Sequence, residues 1–167
     1  NAAMCRDHIT IFGDTVIESS HAWRSRFGEM LAYKNLRTRF TRYGARWIVG
    51  PQPSGADELY DFSYPITKNV KTRHDLASQG KFVTKDVEIC FDTADFFRCG
   101  RDIFCQLSQV TNFLGIKWLT NILGQKYRFH ILQFKDPNPM HVDATFQVVR
   151  EGLAISNPDR PCLQVKL

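Results

Sequence analysis

The heptapeptide Met140-His141-Val142-Asp143-Ala144-Thr145-Phe146 sets a histidine and a carboxylate two residues apart, at the start of an apolar alternation. An imidazole can move a proton near neutral pH, and a carboxylate can orient and charge it. If the run is a strand, successive side chains face opposite ways. His141 and Asp143 then share one face, while Val142, Ala144, Phe146 and Val148 take the other, toward a core. The preceding Phe134-Lys135-Asp136-Pro137-Asn138-Pro139 holds two prolines and reads as a constrained loop. Acidic residues recur at comparable places. Asp92 and Asp95 begin a strand higher up the chain, and Asp7 precedes the first strand. A pocket lined by several carboxylates and one imidazole suits a cationic substrate such as a guanidinium, which carboxylates bind in bidentate fashion. A structural reading stands beside this one, because an Asp at a strand start often serves a turn or cap and His141 could be a satisfied core histidine. A His-x-Asp pair can also ligate a metal, but no third ligand has suitable spacing, so no metal is expected. His8, His21, His74 and His130 have no partner pattern and are expected to be structural or exposed.

The elements that must carry these groups repeat in order. His8–Phe12 and Thr15–Glu18 flank Gly13-Asp14, a hairpin signal. Ser19 or Ser20 can cap a helix running to about Tyr43, with Trp23, Phe27, Leu31 and Phe40 on its buried side and Gly44 ending it. Arg46–Val49 follows as a short strand. The order strand, strand, helix, strand then recurs. Ile89–Phe97 and Asp102–Leu107 flank a turn at Arg98-Cys99-Gly100-Arg101, Thr111–Leu123 has helical spacing, Gly124 can stop it, and Tyr127–Phe134 is an apolar strand. Val142–Val149, a turn at Arg150-Glu151-Gly152, and Leu153–Ser156 start a third copy without its helix. Between the first two copies, Gly50–Asp86 has few periodic apolar positions. It reads as a long ordered excursion pinned by Trp47, Leu59, Tyr60, Phe62, Tyr64 and Phe82, and loops of this length are often functional.

Composition narrows the class. The 167 residues are 43% hydrophobic and include 13 Phe, enough for one domain with a sizeable core. No 18-residue apolar run exists, so no membrane span is expected. The net charge is +5, and the densest basic stretch is Arg37, Arg39, Arg42 and Arg46. That cluster reads as a solvated helix end rather than the continuous basic stripe that nucleic acid needs. The five cysteines, Cys5, Cys90, Cys99, Cys105 and Cys162, form no Cys-x-x-Cys and no zinc pattern. A reduced, intracellular setting is expected, cytoplasmic or mitochondrial. The start, Asn1-Ala2-Ala3, has no Met and no apolar signal region. With the third copy cut short, this leads to the expectation of a central fragment with exposed strand edges that aggregates when expressed alone.

Several motifs carry a resemblance. Met140–Phe146 (MHVDATF), Ser156–Cys162 (SNPDRPC), Phe134–Pro139 (FKDPNP), Gly80–Thr84 (GKFVT), Ala56–Tyr60 (ADELY), Phe91–Phe104 (FDTADFFRCGRDIF) and Ser108–Asn112 (SQVTN) resemble those of the arginine:glycine amidinotransferase family. The resemblance runs almost continuously from about Ala3 to Leu167, with the motifs in the family's order. It implies an α/β fold, part of a five-bladed, pseudo-fivefold α/β propeller (pentein) of strand-strand-helix-strand modules. It places modules at about 7–50 and 88–135, a third begun at 140–157, and the excursion at 51–87. It also implies a reaction in which a cysteine thiolate attacks the guanidino carbon of arginine. Ornithine leaves, and an amine acceptor takes the amidino group from the resulting amidino-cysteine.

By the same resemblance, His141 is the proton shuttle and Asp92 its carboxylate partner. Asp7 and Asp143 hold the guanidinium, and Arg160 anchors the substrate carboxylate. Asn138 and Met140 lie on the loop that shapes the acceptor site. The glycine-using branch carries Asn and Met there, which favours glycine as acceptor and guanidinoacetate as product, with a toxin-pathway branch as the other possibility. No metal or organic cofactor is implied. Small-molecule substrates are the expected partners, with no nucleic acid and room for a homodimer in the full-length enzyme. The family's nucleophilic cysteine lies roughly a hundred residues beyond the histidine, so it is expected outside this chain, and these 167 residues alone should be inactive. Cys90 and Cys162 match non-catalytic family cysteines. The rival readings are a guanidine-modifying hydrolase on the same scaffold and a non-catalytic truncated homologue.

Overall fold

Gly13, at φ +66°, makes the tight reversal after Phe12 that a side chain would resist. The hairpin it closes joins β1 (Ile9–Phe12) to β2 (Thr15–Glu18), paired antiparallel from Ile9↔Glu18 to Phe12↔Thr15. The computed structural model describes residues 4–65 and 70–166; the side chains beyond 163 and the first three residues, on which the reading of the N-terminus partly rests, lie outside that description. β3 (Arg46–Val49) returns parallel to β2 and completes a three-stranded sheet. A second sheet has the order β4-β5-β6-β9, from β4 (Phe96–Cys99), β5 (Asp102–Gln106), β6 (Arg128–Phe134) and β9 (Cys162–Lys166). β4 and β5 are antiparallel, β5 and β6 parallel, and β9 adds antiparallel to β6. β7 (Phe146–Arg150) and β8 (Leu153–Ser156) form a separate two-stranded hairpin. No helix among the described residues is long and apolar enough to cross a membrane.

The first two sheets are joined by their apolar side chains. Phe12 and Ile17 of the first meet Phe96, Ile103 and Cys105 of the second, together with Phe91 and with Ile116, Leu119 and Leu123 of the helix that crosses from β5 to β6. Burying each large side chain of this kind contributes about 1.5–3 kcal/mol. That helix spans Phe113–Leu123, and its cap is Asn112, whose carboxamide oxygen accepts from the Gly115 amide at 2.9 Å. Gly115 also lets the helix lie against the preceding loop, since a Cβ there would sit 2.3 Å from the Cys90 carbonyl oxygen. The excursion is pinned by Leu59 and Tyr60, which pack with Ala22, Cys90 and Val110 and against Trp23. Phe62, at 75% exposed, takes no part in this.

Several expectations need correction. No single helix runs from Ser19 to Tyr43. The segment holds two 3-10 turns, Arg24–Arg26 and Glu29–Tyr33, before a helix at Lys34–Arg42. Its first residues are spent elsewhere: the Ser20 hydroxyl accepts from the Phe91 amide, and Ser19 and His21 hydrogen-bond each other. Leu31 is 78% exposed rather than buried. The excursion contains a helix, Val70–Ser78, whose weak amphipathic pattern hid it. β4 starts at Phe96, not Ile89, because Thr93–Asp95 form a 3-10 turn. Likewise Val142–Ala144 is a 3-10 turn, so β7 starts only at Phe146. His141 and Asp143 therefore do not share a strand face, and of the apolar set named for the core only Val142 is buried.

Candidate active site

Asp92 is the pivot, and its position is set by backbone contacts. Its amide donates to Thr111 Oγ1 at 3.2 Å, and its carbonyl accepts from the Asp95 amide at 3.1 Å, closing the 3-10 turn. Thr93 Oγ1 donates to the Arg6 carbonyl at 2.7 Å. The Arg6 guanidinium donates back to the carbonyls of Thr93 and Phe96. These bonds hold the short helix Cys5–His8, and with it Asp7, against the turn.

Around this pivot Asp7, Asp92 and His141 come together. His141 Nε2 lies 3.0 Å from Asp92 Oδ2, and its Nδ1 lies 3.5 Å from Asp7 Oδ1. Arg26, unremarked in the sequence, donates from one nitrogen to Asp92 Oδ2 at 2.8 Å. From another it reaches Asp7 Oδ2 at 3.1 Å and Glu29 Oε2 at 3.2 Å. The expectation that no third ligand accompanies His141 also needs correction. Asp7, Asp92 and His141 each offer a ligand atom within 4.8 Å of the others. Arg26 already supplies the positive charge these carboxylates need, so a metal ion would have to displace it.

The other candidates stand apart from this cluster. Asp143 Oδ2 is 4.0 Å from Arg6 Nε. Arg160 is paired at 3.0 Å with Asp136, a buried carboxylate that also accepts from the Asn138 amide at 2.8 Å. Asn138 and Met140 are exposed on that loop. Contrary to expectation, His8 and His21 are fully buried and belong to the site: His21 Nδ1 is 2.7 Å from Asp92 Oδ1, and its Nε2 is 2.6 Å from His8 Nδ1. The triplet Arg6-Asp7-His8 was the available signal for this. Nothing in the pattern pointed to His21 or Arg26, because Trp23, Phe27 and Leu31 mimic one face of a helix. His130 instead meets Asp102 at 2.7 Å, away from the cluster.

Charge tunes the groups. Burial pushes the His141 imidazole down, but the hydrogen bond to Asp92 and the charges of Asp95, Asp7 and Asp92 outweigh it, so its pKa is raised. That stabilisation is present below the ordinary histidine value and is lost as pH rises through the raised one. Burial likewise opposes ionisation of Asp92, yet hydrogen bonds from His141 and His21 and the charges of His21 and Arg26 hold it below the usual carboxylate range. Asp95 is fully buried, and burial raises its pKa to about 6 despite bonds from Ser108, Thr111 and Gln106. The folded state therefore binds the Asp95 proton more tightly than the unfolded chain does. This costs stability as pH rises from about 4, the unfolded value, to about 6. Asp95→Asn should flatten the dependence of unfolding free energy on pH across that window, and an unchanged slope in denaturant titrations would show that Asp95 is ionised throughout. Burial also pushes the Cys90 thiol up to about 12 and raises Cys105, so neither is a ready thiolate.

Comparison with known proteins supplies the context. No protein-family model matches the chain. It is 55% identical over 166 residues to the mitochondrial glycine amidinotransferase of Xenopus tropicalis, covering 99% of this chain and 39% of that protein. It is 41% identical over 159 residues to the L-arginine:L-lysine amidinotransferase of Pseudomonas savastanoi pv. phaseolicola, covering 95% of this chain and 42% of that one. Among solved structures, SxtG, an amidinotransferase of the saxitoxin biosynthetic pathway of Microseira wollei, superposes with a TM-score of 0.82 at 38% identity, over 93% of this chain and 42% of that chain. The chain thus spans about two-fifths of the length of the relatives it matches. In sequence it is similar to these amidinotransferases over about two-fifths of their length, and in fold it is part of the α/β propeller they share.

Proposed function

We propose that the full-length protein transfers the amidino group of arginine to an amine through an amidino-cysteine. The observation that carries this reading is the Asp92–His141 pair, with Asp7 at its side, in a chain 55% identical to a glycine amidinotransferase. His141 supplies a proton to the departing ornithine amine and, neutral after that step, takes one from the attacking amine; the buried Asp92 carboxylate supports the imidazolium that precedes the first step and follows the second. Asp7 and Asp143 bind the guanidinium, for which Arg6 and Arg26 are the internal competitors. Arg160, already tethered to Asp136, receives the carboxylate of the substrate. The nucleophilic cysteine lies outside these residues, so the 167-residue chain by itself releases no ornithine. Incubating full-length protein with labelled arginine and glycine tests the reading: labelled guanidinoacetate supports it, and labelled citrulline or urea would mark a hydrolase instead.

We further propose glycine as the acceptor, from Asn138 and Met140. Their side chains stand exposed on the loop before His141, where they set the volume beside the amidino group. The relative from Pseudomonas savastanoi is named for lysine, so glycine and lysine are the two amines to compare. Replacing both residues, Asn138→Phe with Met140→Ser, should weaken use of glycine relative to bulkier amines in steady-state rates. An unchanged preference would show that the acceptor is chosen elsewhere. Residues 7–50 and 88–135 are read as two propeller modules, with a third begun at 140–157 and residues 51–87 inserted between the first two. An intracellular setting, cytoplasmic or mitochondrial, and a homodimer of the full-length enzyme complete the proposal.

A further inference from the structure

The loop that bears Asn138 and Met140 also holds Pro137 and Pro139, which bring no backbone N–H with which to tether it. Its entry is held by Asp136, which accepts from the Asn138 amide at 2.8 Å and pairs with Arg160. Its exit is held by His141, which meets Asp92 and Asp7. Between these ends stands Pro139, buried between two exposed neighbours. The Pro139 carbonyl accepts from the Gln109 amide at 2.9 Å. The place of Gln109 therefore sets the place of the loop, midway between the two residues assigned to the acceptor.

Gln109 is 5% exposed and is held from two sides. One side is its own turn. The buried Asp95 carboxylate accepts from Ser108 Oγ at 2.6 Å and from Thr111 Oγ1 at 2.5 Å, and Ser108 Oγ accepts in turn from the amides of Val110 and Thr111. Thr111 Oγ1 also accepts from the Asp92 amide, so the turn is fastened to the pivot of the site. The other side is the long excursion. Gln109 Oε1 accepts from the Val83 amide at 2.8 Å, and its Nε2 donates to the Tyr64 hydroxyl at 2.9 Å. Its carbonyl accepts from Thr84 Oγ1 at 2.7 Å. A β-bridge between Tyr60 and Thr84 closes this stretch on itself, and Tyr64 is buried. All four polar groups of Gln109 are thus engaged. Three bind Tyr64, Val83 and Thr84, and the fourth binds the loop before His141.

We propose that Gln109 is a positioning residue that determines acceptor specificity. Held by Tyr64, it fixes Pro139 and with it the room that Asn138 and Met140 leave for the attacking amine. This rests on the reading of that loop as the acceptor site. The effect belongs to the second half of the proposed reaction. Arginine is attacked and ornithine leaves before any acceptor is needed. The groups assigned to that first half have anchors of their own: His141 on Asp92 and Asp7, Asp143 beside Arg6, and Arg160 on Asp136. The excursion thereby gains a part in choosing the substrate, through a hydroxyl 45 residues before Gln109 in sequence.

The test separates the two half-reactions in the full-length protein, comparing wild type with Gln109→Leu, Tyr64→Phe and Gln109→Glu. Labelled arginine alone measures ornithine release in a single turnover, and glycine against lysine measures acceptor choice. Gln109→Leu removes both side-chain bonds. It should weaken discrimination between the two amines, as a ratio of kcat/KM, by about fivefold, the usual worth of one hydrogen bond. Ornithine release should stay unmoved. Tyr64→Phe removes a single hydroxyl and should shift the ratio the same way by less, and it carries the test if Gln109→Leu does not fold. Gln109→Glu still accepts from the Val83 amide and can accept from the Tyr64 hydroxyl, so it should keep the wild-type ratio. A purely structural role would lower ornithine release and both amine rates together and leave their ratio alone. That outcome, or a wild type that uses both amines alike, overturns the proposal. A wild type that transfers to neither amine removes the functional reading and this inference with it, whereas an active wild type with the ratio unmoved in the variants removes this inference alone.

Discussion

On the proposed reaction, His141→Ala in the full-length protein should lower amidino transfer from arginine by about 10²–10⁴-fold, the usual worth of a positioned acid–base group. In that reaction both the departing ornithine amine and the attacking amine need a proton carrier, and among the described residues His141 is the imidazole that meets Asp92 Oδ2. Asp92→Asn is comparably harmful. The carboxylate is 1% exposed and accepts from His21, Arg26 and His141 together. An amide in its place removes the charge that holds the imidazolium and turns one acceptor into a donor facing donors. Steady-state kinetics with arginine and glycine measure both. Rates within about threefold of wild type, under about 1 kcal/mol in barrier, would remove either residue from the mechanism.

Phe91→Ala is the variant with the largest expected effect on stability, about 3–5 kcal/mol. The ring is fully buried, lies edge-on to Phe96 at 6.0 Å and stacks on Trp118 at 5.7 Å. It fills the seam where the first sheet, the second sheet and the helix Phe113–Leu123 meet. It also directly precedes Asp92, so the cavity opens next to the pivot of the site. Denaturant unfolding of the full-length protein gives the number. A loss below about 1 kcal/mol would mean that the seam collapses to fill the gap and that the two sheets depend on each other less than their packing implies.

Strand pairing was legible where local chemistry decides it. Gly13-Asp14 fixed the first hairpin, and the apolar runs at Arg46–Val49 and Tyr127–Phe134 marked strands that form within a residue of expectation. What sequence pattern missed are the places where the tertiary environment overrides it. Residues 19–33 have helical spacing, but Ser20 is drawn to the Phe91 amide and Arg26 to three carboxylates, and those contacts outweigh continuous helix. The alternation after His141 suggested a strand, yet the segment coils into a 3-10 turn that aims the imidazole at Asp92. The buried histidines were invisible because their partners are 13 and 71 residues away in sequence, beyond the reach of any local periodicity. The motifs Met140–Phe146 and Phe91–Phe104 pointed to the family where periodicity could not.

The hairpin β7–β8 has a consequence in time rather than in space. Every residue of it except Phe146 is exposed, and a two-stranded hairpin is marginal by itself. It is moored by Phe146, whose ring leans on Phe97 and Phe134, and by Val142 in the turn before it. Asp7 and Asp92 belong to the seam between the two larger sheets, whereas His141 sits at the root of this lightly moored hairpin. Local opening of the hairpin withdraws the imidazole while both carboxylates stay in place. Within these residues the acidic half of the site is therefore anchored by more buried contacts than the basic half.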